Sequence, residues 1–170
     1  MESRAKLLGH PIHPMLIVFP LGLLGMSLFF DLIGLIWDIE GLIAAAYYMI
    51  AAGIIMGLVA AVFGLIDFLG IPKGTRARRL GLWHGLGNVV VVVLFAGSWL
   101  LRTGSPADPP LLAVWISAIA VCLALVTGWL GGEMVDRLAV GVDDGAHVDA
   151  PSSLSGRPAS EVSGGSAARP

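Results

Sequence analysis

The sequence predicts an all-α integral membrane protein, a four-transmembrane-helix bundle with a disordered C-terminal tail. Three observations carry this. Only 13% of the 170 residues are charged and 56% are hydrophobic, whereas an ordinary soluble domain carries about 25% charge. The apolar residues gather into four unbroken runs, each long enough to cross about 30 Å of hydrocarbon as a helix of roughly 20 residues. No run alternates with period two, and backbone groups in lipid must then pair within their own segment, as they do in a helix.

The first run, Met15–Trp37, follows a short polar start, Met1–Lys6. It is too long for a signal-peptide core and lacks a small-residue cleavage pattern, so it reads as an uncleaved span. Pro14 suits its first helical position, and Pro20 is expected to kink it. Pro11 and Pro14 bias His10 and His13 toward extended backbone. The second run, Leu42–Ile66, carries Gly53, Gly57, Ala60 and Gly64 at intervals of three or four, a face on which a neighbouring helix can approach closely. Asp67 continues that face. The third run, Leu82–Leu101, places His84 and Asn88 four residues apart on one side. The fourth, Leu111–Leu130, ends in Gly131-Gly132-Glu133. Residues 1–142 thus form one transmembrane domain, and residues 143–170, rich in Asp, Ser, Gly, Ala and Pro, read as a disordered tail.

Charge gives the orientation. Loops on one side, including Ile71–Gly81, hold seven Lys and Arg, and those on the other hold only Arg102. The positive-inside rule therefore expects both termini in the cytoplasm and the protein in the inner membrane. Trp37, Trp99 and Trp115, with Tyr47 and Tyr48, fall near the outer ends, and Trp83 and Trp129 near the inner ends, as an aromatic belt requires. The formal net charge of -2 leaves no basic excess to hold a phosphate backbone, so the lipid bilayer and not nucleic acid is the expected partner. A single cysteine, Cys122, excludes an internal disulfide, a thiolate-ligated cluster and a Cys-rich zinc site.

Ionisable groups at membrane depth are costly and so are functional candidates. His10, His13, Asp67, His84 and Glu133 converge on the cytoplasmic rim, with Asn88 and Arg137 beside them. Imidazoles from two spans at similar depth suit a b-type haem, with His10, His13 and His84 as the candidate ligands. The same histidines with Asp67 and Glu133 would suit a divalent transition metal. Asp31 alone sits near the outer side, and a sparse polar line His13, Pro20, Ser27, Asp31 along one face suggests a proton path. The alternative is a cofactor-free scaffold or small proton or solute-transport component. In that case His10 and His13 meet lipid headgroups and Asp67 pairs with Arg76 or Arg79. Nucleophile triads, P-loops and dinucleotide fingerprints are absent, so no catalytic residue is assigned and the balance is against an enzyme.

Gly9-His10-Pro11-Ile12-His13-Pro14-Met15-Leu16-Ile17-Val18-Phe19-Pro20 resembles the opening of a bacterial membrane family, the domain-of-unknown-function family numbered 2231. Gly64-Leu65-Ile66-Asp67 with Pro72, His84 with Asn88, and Gly131-Gly132-Glu133-Met134-Val135-Asp136-Arg137 with Val140-Gly141-Val142 are similar to its later motifs. The chain departs from the pattern at Asp136-Arg137-Leu138-Ala139, where relatives tend to carry Tyr-Arg-His-Gly. That removes a histidine from the closing motif and leaves His10, His13 and His84. The resemblance brings no established activity. Because some relatives are joined to Rieske or c-type cytochrome domains, it implies an electron-transfer role with a redox partner protein.

Overall fold

The computed structural model describes residues 1–162. A two-stranded antiparallel hairpin, β1 (Lys6–Leu7) and β2 (His10–Pro11), leads into a short helix α1 (Ile12–Leu16). Four long helices follow: α2 (Val18–Trp37), α3 (Glu40–Gly70), α4 (Arg76–Leu101) and α5 (Leu111–Asp136). With α1 and α2 taken as one span, four helices are long and apolar enough to cross a membrane. Their large apolar side chains point outward, as in Phe19, Leu58, Val93 and Leu125, which is the surface that lipid would cover. α2 and α3 form one hairpin and α4 and α5 the other; α3 packs on α4, and α5 closes on α2. The bundle therefore has a terminal end, with residues 1–11 and the 71–75 loop, and a far end, with the Asp38–Ile39 turn and the 102–110 loop.

The helices outrun the apolar segments mostly at the terminal end. Met15–Trp37 begins instead at Ile12, Leu42–Ile66 extends to Gly70, Leu82–Leu101 begins at Arg76, and Leu111–Leu130 continues to Asp136. Hydropathy marks only the part that must avoid water, whereas the i→i−4 backbone ladder continues through polar residues at no penalty. The first helix opens earlier than Pro14: Pro11 is the N-cap, extended at φ −64° and ψ 128°, and Pro14 is the third helical residue. Its missing N–H is still one of the four that a helix start leaves free. His13 is accordingly helical, not extended. The break expected from Pro20 falls at Ile17, between α1 and α2, because the proline removes the donor that would pair with Leu16 and crowds its carbonyl.

The small-residue face of α3 receives the first span. A Cβ on Gly53 would lie 2.6 Å from Leu24 Cδ2, and one on Gly64 would lie 2.9 Å from the His13 ring, while Gly57 faces Pro20. Near mid-bundle, Leu24, Ile50, Val91, Phe95 and Ala120 from all four long helices form a buried apolar layer. Trp37, Trp83, Trp115 and Trp129 are exposed as membrane anchors would be. Trp99 is not: it packs on the apolar layer and stacks on Tyr47 at 5.3 Å between ring centres, and its buried Nε1 has no partner among the described residues.

Residues 143–162 contain one 3-10 turn, Ser153–Ser155, and lie against the start of the chain. Ser153 Oγ donates to the Leu8 carbonyl, Gly141 N–H donates to the Met1 carbonyl, and Lys6 Nζ pairs with Glu2 at 2.7 Å and with Asp143. The hairpin turn that receives this segment needs Leu8 and Gly9 at φ 51° and 84°. A Cβ on Gly9 would meet Ser153 Cβ at 2.7 Å, so glycine there serves both the turn and the contact. The part of the tail after Val162 lies outside the described residues.

Candidate functional site

At the terminal end two histidines from different spans face each other. His13 lies against Gly64 of α3 and its Nδ1 is 2.9 Å from the Ala60 carbonyl. His84 on α4 lies against Gly131 of α5 and its Nδ1 is 2.8 Å from the Thr127 carbonyl. Their ring centres are 6.4 Å apart with planes at 87°. A carbonyl partner fixes Nδ1 as the protonated nitrogen and leaves Nε2 with the lone pair, the arrangement a metal-ligating imidazole has. Asn88 supports the pair: its Nδ2 donates to the His84 carbonyl at 2.8 Å and lies 3.3 Å from His84 Nε2, and its Oδ1 accepts from Thr127 Oγ1 at 3.2 Å.

The other candidates at this end are engaged elsewhere. Asp67 accepts from Ser3 Oγ at 2.8 Å and from the Arg4 and Ala5 N–H groups at 2.7 and 3.3 Å. It pins the first residues of the chain and pairs with neither Arg76 nor Arg79. Glu133 pairs with Arg76 at 2.6 Å, joining the start of α4 to the end of α5. His10 sits in β2, its Nε2 3.3 Å from Ser153 Oγ at the surface. A five-residue metal site is therefore corrected: among the described residues no three His, Cys, Asp or Glu side chains gather to hold an ion. Arg137 caps α5 and its side chain is exposed. His13, His84 and Asn88 are brought together; His10, Asp67 and Glu133 are not part of that pair.

The far end holds a second polar centre that spacing did not reveal. Arg102, at the C-cap of α4, makes two parallel bonds of 2.7 Å to the Asp31 carboxylate of α2, and both side chains are fully buried. Ser98 and Ser117 bond each other at 2.8 Å and accept from Arg102 at 3.3 Å each. A bidentate fork of this kind satisfies both charges in one plane. Arg102 thus is not a free loop cation. Opposite charges at matching depth on spans one and three were the available signal. The polar line from His13 toward Asp31 does not cross the bundle: Ser27 donates to the Leu24 carbonyl of its own helix, and the apolar layer of Leu24, Ile50 and Phe95 lies between the two ends.

No curated protein and no solved structure matches the chain. A family model described as "Predicted membrane protein (DUF2231)" matches residues 9–144, a stretch that takes in both polar centres and all four spans. The chain belongs to this family of membrane proteins of unknown function, DUF2231.

Proposed function

We propose that the protein is a small, multi-pass component of the bacterial inner membrane that holds a metal centre between His13 and His84, haem iron above all, in a redox-related role with a partner protein. The terminal end, rich in Lys and Arg, faces the cytoplasm. The single observation behind this reading is the histidine pair. A metal bound to one imidazole nitrogen on each side at about 2.0–2.1 Å, plus roughly 1 Å from nitrogen to ring centre, calls for centres about 6 Å apart. The two rings stand at 6.4 Å. Haem iron held between helices by histidine suits one-electron exchange. His13 and His84 would supply the nitrogens, the Ala60 and Thr127 carbonyls would hold the ring tautomers, and Asn88 would orient His84.

A second reading, a cofactor-free scaffold, draws on the 3.3 Å approach of Asn88 Nδ2 to His84 Nε2, which satisfies that nitrogen without a metal. The absorption spectrum and metal content of the detergent-purified full chain separate the two. A Soret band, or about one transition metal per chain, is expected, lost in His13→Ala and in His84→Ala but kept in His10→Ala. A colourless, metal-free protein would overturn the metal centre in favour of the scaffold. Vesicle proton or solute flux that depends on Asp67 in such a colourless protein would favour transport instead.

A further inference from the structure

Between α4 and α5, on the outer surface toward the terminal end, runs a groove of about 410 Å³ walled by Trp83, Leu86, Val90, Leu123, Val126 and Leu130. Its one hydroxyl is turned away: Thr127 Oγ1 donates to Asn88 and to the Ala124 carbonyl. The floor is held close by Gly87, where a Cβ would stand 2.5 Å from Thr127 Cγ2. Each wall ends in an arginine on its own stripe. On α4, Arg79, Trp83, Leu86 and Val90 follow one another at helical spacing, which puts Arg79 one turn beyond the groove. On α5, Leu123, Leu130 and Arg137 recur every seven residues, which puts Arg137 at the same mouth from the other side. Both side chains are exposed and, among the described residues, neither has a hydrogen-bond or ion-pair partner. The acids at the end of α5 are already engaged or turned aside. Glu133 is bonded to Arg76, and Asp136 is rotated by about 100° from Arg137 on the helix.

An apolar trough under two unpaired guanidinium groups at a membrane surface matches one ligand chemistry, a phosphate carried on acyl chains. We propose that this is a binding site for an anionic phospholipid, one acyl chain lying in the α4–α5 groove and the phosphate bridging Arg79 and Arg137. Arginine forks bind phosphate oxygens in pairs, and basic pockets at the ends of membrane helices hold acidic headgroups. The choline headgroup of a zwitterionic lipid cancels its phosphate charge and loses that advantage. The groove shares Thr127 with the network around His84, but the proposed lipid contacts involve neither His13 nor His84.

The test uses the full chain, purified in mild detergent with an equimolar mixture of phosphatidylglycerol and phosphatidylcholine of identical chains, and native mass spectrometry of the retained lipid. The wild type is expected to retain phosphatidylglycerol at least fivefold over phosphatidylcholine. The doubly substituted Arg79→Gln, Arg137→Gln protein should fall to near parity. Val126→Phe, which fills the groove and leaves both arginines, should reduce retention of either lipid several-fold. Far-ultraviolet circular dichroism reports whether each variant is folded, and Lys73→Gln, which removes a cation of the adjoining 71–75 loop away from both stripes, should keep the preference. Equal retention in the wild type and the double variant, or an equal loss in Lys73→Gln, would overturn the site. Displacement of the lipid by millimolar inorganic phosphate would show a simple anion site and would equally overturn the acyl-chain assignment.

Discussion

Replacing Asp31 by asparagine changes almost no volume and removes one charge, which makes it the sharpest probe of how the bundle is held. The carboxylate meets Arg102 through two bonds of 2.7 Å, and neither side chain has any exposed surface. Breaking a buried pair by removing one partner costs about 3–5 kcal/mol, because the other charge is left uncompensated. At about 1.4 kcal/mol per tenfold, Asp31→Asn should lower the folding equilibrium roughly a hundred- to several-thousand-fold. Arg102→Gln should cost a similar amount. The double variant Asp31→Leu, Arg102→Leu removes both charges and should come within about 1–2 kcal/mol of the wild type, since buried pairs often exchange for apolar residues at little loss. The assay is reversible unfolding in mixed micelles by sodium dodecyl sulfate, followed by circular dichroism, with a double-mutant cycle through Asp31→Asn, Arg102→Gln. A coupling below about 0.5 kcal/mol, the scatter expected of independent sites, would refute the inference that the two residues act as one buried unit.

Three further outcomes are expected. Gly87→Ala drives a Cβ to within 2.5 Å of Thr127 Cγ2 and should cost about 1–3 kcal/mol as overpacking; the same unfolding assay should show Gly87→Ala, Thr127→Ser recovering part of it. Asp67→Asn leaves fewer acceptors for Ser3 and the Arg4 and Ala5 N–H groups, and amide exchange should speed up in residues 1–9 while the apolar layer stays protected. The clasp between the chain start and residue 143 should depend on pH. The Lys6 hydrogen bond holds the Glu2 carboxyl below its ordinary range, so that contribution is present at neutral pH and lost as pH falls through the lowered value. The Asp143 carboxylate, then Glu2, raises the Lys6 ammonium, so that contribution is lost only as pH rises through the raised value. Amide protection at residues 139–144, the exchange rate corrected for its intrinsic pH dependence, should therefore be greatest near neutrality and fall at both extremes; a protection factor that does not change with pH would count against the clasp.

Residues that act through their own helix were readable from spacing. The four spans, the small face of α3 and the proximity of His84 to Asn88 follow from periods of about 3.6 residues and from hydropathy. Contacts between distant segments were not. Depth alone puts Arg102 and Asp31 at the same end, but nothing in the order of residues turns one toward the other, because helix packing and not spacing decides which faces meet. The same applies to Asp67, whose partner is the short polar start of the chain, a bonded segment in the structure. Residues 143–162 read as disordered by composition, yet Ser153 and Asp143 anchor them to Leu8 and Lys6. Backbone and side-chain hydrogen bonds hold that segment, and these leave no hydropathic trace.

The fork between Asp31 and Arg102 also says something about how such a chain is put together. The two partners belong to different hairpins, one made of α1 to α3 and the other of α4 and α5. Emerging in order, the first hairpin carries an uncompensated carboxylate at its far end until the second arrives with the matching cation. Each hairpin is then incomplete by itself, and the second is drawn to the first at a defined height. A slip of one residue moves a helix by about 1.5 Å, enough to unseat two parallel bonds at once. The ion pair thereby acts as a checkpoint of assembly: only a bundle with its hairpins joined in register leaves no buried charge uncompensated.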